Sequence, residues 1–148
     1  MIELSKAVDF PASARRHMTD AALLEANGRL PNAGYLYGYV AECGLKAILI
    51  LHGYPTDSEG SPLNTDNFKV HINRLVVPTT ITSLRTFLSG RSAATFLSLI
   101  PSISDFSDWD VAHRYYAEAA LPGSFAKWKA AALEVGRMLD HARTSGLT

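Results

Sequence analysis

One cysteine, Cys43, is all that this 148-residue chain contains. An internal disulfide is therefore excluded, and a cysteine-rich metal centre with it. Charge of one sign is lacking too, because 14 Lys and Arg balance 14 Asp and Glu. That argues against a globally basic nucleic-acid binder while leaving room for a local patch. The five histidines (17, 52, 71, 113, 141) are scattered. None pairs at a helical i, i+4 spacing, so neither a metal site nor a metal cofactor is expected. There is no Gly-x-Ser-x-Gly elbow, no Gly-rich phosphate loop and no cysteine-protease context. Strand-like alternation, internal repeats and low-complexity tracts are absent as well.

Long hydrophobic runs are missing in the same way. The apolar stretches are interrupted by Glu42, Lys46, Pro78 or Arg85, so no membrane span is expected. Met1 to Phe10 carries Glu3, Lys6 and Asp9 without an apolar h-region, so no signal peptide is expected either. A buried thiol and a reducing, cytoplasmic setting follow as the simplest expectation. With 47% hydrophobic and 19% charged residues, the whole chain (1–148) reads as one globular domain.

What is present reads as helix. Pro11 opens a first helix that runs to about Ala26 and stops at Asn27-Gly28. Pro31 opens a second, ended by His52-Gly53-Tyr54-Pro55. Within it Ala33, Leu36, Val40, Ala47 and Leu51 repeat at helical spacing. Tyr35, Tyr39, Glu42 and Lys46 form a separate stripe, and Gly34 and Gly38 leave space for a neighbouring backbone. Residues 56–67 are a polar loop. Short helices are expected over Val70 to Leu75, around Ile81 to Leu88 and over Ala93 to Ile100, with breaks at Pro78, Gly90 and Pro101. Asp108 is expected to cap a helix starting at Trp109, and Ser124 to cap the last one. The last helix carries the seam Phe125, Trp128, Ala132, Val135 and Leu139. The expected fold is all-α, a single up-and-down-type bundle of five to six helices.

Four constellations carry chemistry. Glu42 and Lys46 sit at i, i+4 in the favoured order. They form either a helix-stabilising surface pair or a partly buried pair, lined by Tyr35 and Tyr39, that faces a cleft or a dimer interface. Residues 67–104 contain Lys69, Arg74, Arg85 and Arg91 and no acidic residue. That is either a solvated face or a phosphate-binding patch. Trp109 to Tyr116 is dense in rings; its Arg114 suits a base or phosphate and its tyrosines, Tyr115 and Tyr116, could stack bases, although such clusters more often pack on the core. Arg137 and His141 share one face of the last helix, nearly opposite its apolar seam, where they should point to solvent or to a partner subunit. Together they offer an anion contact and a proton shuttle, the requirements of metal-independent RNA cleavage.

A family resemblance joins these pieces. His17, Asp20 and Ala21, Gly28-Arg29, Asn32-Ala33, Tyr35-Leu36, Gly38-Tyr39, Glu42-Cys43 and Leu45-Lys46-Ala47 resemble the opening half of certain HEPN domains. His71 to Leu75 is similar to a short His-containing element of these domains. Trp109 with Arg114-Tyr115 is similar to the Trp and Arg-Tyr element that precedes their last helix. The resemblance implies an all-α bundle that commonly dimerises. It implies a setting in toxin–antitoxin, phage-defence or RNA-processing systems, often beside a nucleotidyltransferase-like partner. Ribonuclease members share an Arg-x4–6-His motif at the dimer interface. Arg137 and His141 have only three residues between them, and Arg114 has no histidine within that reach. Non-catalytic members are thought to bind nucleotides or nucleic acid. The expectation is therefore a homodimeric nucleotide- or RNA-binding module using Tyr35, Tyr39, Glu42, Lys46, Arg114 and Tyr115. The alternatives are a ribonuclease using Arg137 and His141, and a purely structural dimerisation module.

Overall fold

A computed structural model describes residues 7–146, and among them the fold is all-α. Six α-helices carry it: α1 (Phe10–Ala26), α2 (Leu30–Leu51), α3 (Ile72–Leu75), α4 (Pro78–Ser89), α5 (Thr95–Ser98) and α6 (Phe125–Thr144). Turns of 3-10 helix cover Asn64–Asp66, Ile103–Asp108, Val111–Tyr115 and Glu118–Ala120. Thr56 and Pro62 make an isolated β-bridge, and no strand occurs among the described residues.

Local chemistry sets the helix ends. Asp9 caps α1, its carboxylate accepting from the Ala12 amide at 3.0 Å, and Pro11 sits in the first turn. Gly28 follows with a φ of 73°, which glycine adopts at no steric cost. Pro31 and Pro78 occupy the first turns of α2 and α4, where no amide hydrogen is missed. Pro78 therefore opens a helix as well as ending the one before it. Two of the short helices are tighter than their apolar runs suggested, at Ile72–Leu75 and Thr95–Ser98.

One expected cap falls elsewhere, and another keeps its position without its side-chain bond. Trp109 does not begin a helix: its backbone is extended and its side chain is buried. Asp110, not Asp108, caps the turn that follows, accepting from the Ala112 amide at 2.8 Å. Asp108 instead reaches α6, where it accepts from Trp128 Nε1 at 2.9 Å and from the Ser124 hydroxyl. Ser124 holds the N-cap position of α6 as expected, its carbonyl accepting from the Trp128 amide at 2.9 Å, but its hydroxyl goes to Asp108 and makes no side-chain cap bond. The long-range partner outcompeted the local one in both cases.

The core is built around α2, which packs most extensively on α1 and next on α6. From Val40 to Leu49 every residue of α2 is buried. The helix is therefore enclosed on nearly all sides rather than amphipathic. This corrects the membrane argument made from sequence. The 22 residues of α2 are long and apolar enough to cross a membrane despite Glu42 and Lys46, yet 72% of its most apolar 18-residue window is buried inside the fold. The α6 seam meets α2 as expected, with Trp128, Ala132, Val135 and Leu139 buried and Phe125 half-buried. Glycines in α2 set how closely the neighbours approach. A Cβ at Gly44 would stand 2.1 Å from Val135 Cγ1, and one at Gly38 2.1 Å from Trp109 Nε1. Side chains fill these notches, and at Gly34 and Gly38, where a neighbouring backbone had been expected, they are those of Phe125, Trp128 and Trp109.

Candidate functional site

The stripe of α2 turns into a buried polar network. Glu42 and Lys46 are 7% and 6% exposed, and Lys46 Nζ donates to Glu42 Oε2 at 3.0 Å. This is no surface pair. A carboxylate and an ammonium withdrawn from water are tolerated only when paired and hydrogen-bonded. The second oxygen, Glu42 Oε1, lies 3.0 Å from His71 Nδ1, just before α3. A carboxylate only accepts, so Nδ1 carries the proton and Nε2 is the basic nitrogen of the neutral ring. The His71 side chain is 44% exposed, so the network begins in the core and ends at the surface. Nothing in the Glu42–Lys46 spacing identified His71 as the third member. Its own signal was a lone histidine ahead of a short apolar run.

Rings surround this network. Tyr35 Oη donates to the Val111 carbonyl at 3.3 Å and lies 3.1 Å from Tyr39 Oη, which donates to it. Trp109 Nε1 donates to the Tyr35 carbonyl at 3.1 Å, and the two rings stack at 5.2 Å. Tyr39 meets the rings of His17, His71 and Trp109 at 5.6, 6.0 and 5.4 Å. Burial, followed by the Tyr35 hydrogen bond, raises the Tyr39 phenol well above its ordinary value, so it stays a neutral donor. Burial lowers His17, with Arg16 adding to the effect and Asp20 and Glu42 opposing it. Cys43, on the same helix, is 6% exposed, and burial pushes its thiol up to about 12. It is inert at neutral pH.

The ring-rich segment after Trp109 divides in two. Trp109 is core, whereas Tyr115 and Tyr116 are 77% and 49% exposed. Arg114 is exposed, lies over the Tyr115 ring at 4.9 Å, and feels both the Tyr35 and Tyr39 hydroxyls. Beside it an open groove of about 540 Å³ runs between the start of α2, the Val111–Tyr115 turn and the start of α6. Tyr35 and Arg114 line this groove together with Arg29, His113, Tyr116 and Glu118. Tyr39, Glu42, Lys46 and Tyr115 do not. Of the six ligand-binding candidates, then, two meet in the groove, and the Glu42–Lys46 pair is closed off behind rings. Arg29 was legible only as part of the Gly28-Arg29 turn, and His113 only as one histidine among five.

Arg137 and His141 are both exposed on α6, as their spacing required. The His141 ring also meets Phe96 edge-on at 5.6 Å. The basic stretch is less uniform than its sequence. Lys69 pairs with Asp57 at 2.8 Å and Arg91 lies 3.7 Å from the Phe87 ring, while Arg74 and Arg85 are exposed. No group of three metal-ligating side chains occurs among the described residues. No family model, curated protein or solved structure matches the chain.

Proposed function

We propose that this protein is a HEPN-like module that binds a nucleotide or RNA in a toxin–antitoxin or phage-defence context. In this reading it works in the cytoplasm as a homodimer, beside a nucleotidyltransferase-like antitoxin. The observation that carries the reading is the groove, where Arg114 and Tyr35 come together with a second arginine and further rings. Cations for phosphate and ring faces for bases are the two requirements of single-stranded nucleic-acid binding. The all-α fold and the enclosed second helix agree with the resemblance carried by the α1 and α2 residues.

The test is fluorescence anisotropy of labelled single-stranded RNA and of a labelled nucleotide, with wild type and Arg114→Ala. Affinity should fall about tenfold in the variant, the weight of one charge-assisted contact. Wild-type protein that binds neither ligand sinks the reading.

A second reading, a metal-independent endoribonuclease using Arg137 and His141, is favoured by one observation: both are exposed on one helix and available to a partner subunit. RNA cleavage in EDTA that disappears in Arg137→Ala/His141→Ala would establish it. Cleavage that persists in the double variant would exclude that pair.

A further inference from the structure

The groove has more specific chemistry than general nucleic-acid affinity. Its cations have no carboxylate partner: among the described residues neither Arg29 nor Arg114 is ion-paired, and the carboxylate of Glu118 is the single acidic group on the lining. His113 is held in a defined tautomer. Its Nδ1 accepts from the Asp110 amide at 3.4 Å, so in the neutral ring the proton sits on Nε2. The same ring stacks beside Trp128, with the centroids 5.9 Å apart. Trp128 in turn is tied to Asp108 by its own Nε1. The imidazole is therefore oriented by one hydrogen bond and one ring contact before any ligand arrives. Tyr116 stands 5.2 Å from the His113 ring and is half-exposed, so one ring face is open beside the donors.

Two arginines and a donating imidazole match the oxygens of a terminal phosphate, because charge-assisted contacts to a doubly charged group are the strongest polar contacts available. An exposed tyrosine next to them offers a stacking surface for a base. Glu118 is an acceptor suited to ribose hydroxyls. The volume is within the range of small-molecule sites, roughly 300–1,000 Å³, which suits one nucleotide unit.

We infer that this groove takes a single 5′-phosphorylated nucleotide, either free or at the 5′ end of an RNA. The phosphate lies on Arg29, Arg114 and His113 and the base on Tyr116. The inference rests on the nucleotide- or RNA-binding reading and narrows it to one unit with an obligatory terminal phosphate. Arg29 and Glu118 enter as binding residues that the sequence alone did not single out.

Calorimetric titration of the whole chain tests it, with AMP, adenosine, inorganic phosphate, and one short RNA carrying either a 5′-phosphate or a 5′-hydroxyl. AMP should bind at least about tenfold tighter than adenosine, and Arg29→Ala should remove about that factor. Tyr116→Ala should weaken AMP and leave inorganic phosphate unchanged. Arg29 and Tyr116 are exposed or half-exposed, and thermal denaturation of each variant confirms that the fold persists. Binding of the 5′-phosphorylated RNA alongside AMP identifies an RNA end as the source of the nucleotide, and binding of AMP alone identifies a free mononucleotide. Equal affinity for AMP and adenosine overturns the inference, as does equal affinity for AMP and inorganic phosphate. RNA binding that ignores both the 5′-phosphate and Arg29→Ala overturns it while leaving the broader reading intact. Failure of every ligand removes both.

Discussion

The two sides of α2 are both packed tightly onto a glycine, yet they end in different chemistry. Towards α6 the notch at Gly44 receives Val135, and apolar residues close the contact. Towards the irregular segment the notch at Gly38 receives Trp109, and the neighbours are Tyr35, Tyr39, Glu42, Lys46 and His71. Glycine costs about 1 kcal/mol relative to alanine in a helix, so each notch must be offset by the packing it permits. On the α6 side that packing is the whole outcome. On the other side it holds rings and a buried ion pair in register and leaves His71, Tyr35 and Arg114 at the surface. A helix can thus supply a core with one face and a chemically specific surface with the other.

The largest effect should come from Glu42→Ala. It leaves the Lys46 ammonium buried without its carboxylate and releases His71. About 3–5 kcal/mol of stability should be lost, read as a shift in the urea midpoint. Glu42→Gln keeps an acceptor and should lose less. A loss below about 1 kcal/mol for the alanine variant would show that water reaches the pair, and the contrast between the two faces would collapse.

Next come the notches. Gly44→Ala and Gly38→Ala should each cost about 1–3 kcal/mol, since Val135 and Trp109 would have to move. The two differ in their signature. Gly38→Ala displaces the Trp109 indole from the Tyr35 carbonyl and should change tryptophan fluorescence, whereas Gly44→Ala should leave that emission nearly unchanged. Identical spectra for both would mean that the two faces relax as one.

The smallest effect concerns pH. Unfolded His17 takes up its proton around 6.5, and burial in the fold lowers that value. Protonation therefore favours the unfolded chain. The contribution is fully present above the unfolded value and is lost as pH falls through the folded one. Chemical denaturation between pH 7 and pH 5 should show stability declining, with a shallower decline in His17→Gln and a wild-type decline in Gly44→Ala. A His17→Gln profile that overlays wild type removes His17 as the source.

Much of this was legible residue by residue. Pro11, Pro31 and Gly28 marked helix ends because their backbone constraints act locally, whereas α4 ends at Gly90 although that glycine keeps a right-handed φ of −64°. The α6 seam and the solvent exposure of Arg137 and His141 followed from the helical period alone. Errors arose where a side chain had two possible partners. Asp108 satisfied the local rule for a cap but bonded to Trp128 and Ser124, and Ser124 kept its N-cap position while its hydroxyl went to Asp108. The Tyr35–Lys46 stripe was visible as a stripe, but its burial was not, since i, i+4 spacing is the same on a wet face and a dry one.

By itself the sequence determined the all-α class, the course of the long helices and the polar character of one side of α2. These depend on steric and hydrogen-bonding preferences that span four residues or fewer. Only the tertiary structure decided that Trp109 fills the Gly38 notch, that His71 closes the Glu42–Lys46 pair, and that Arg29, His113 and Arg114 share a groove. Those pairings join segments separated by loops. Their free energy comes from burial and shape fit, which exist only once the chain has closed on itself.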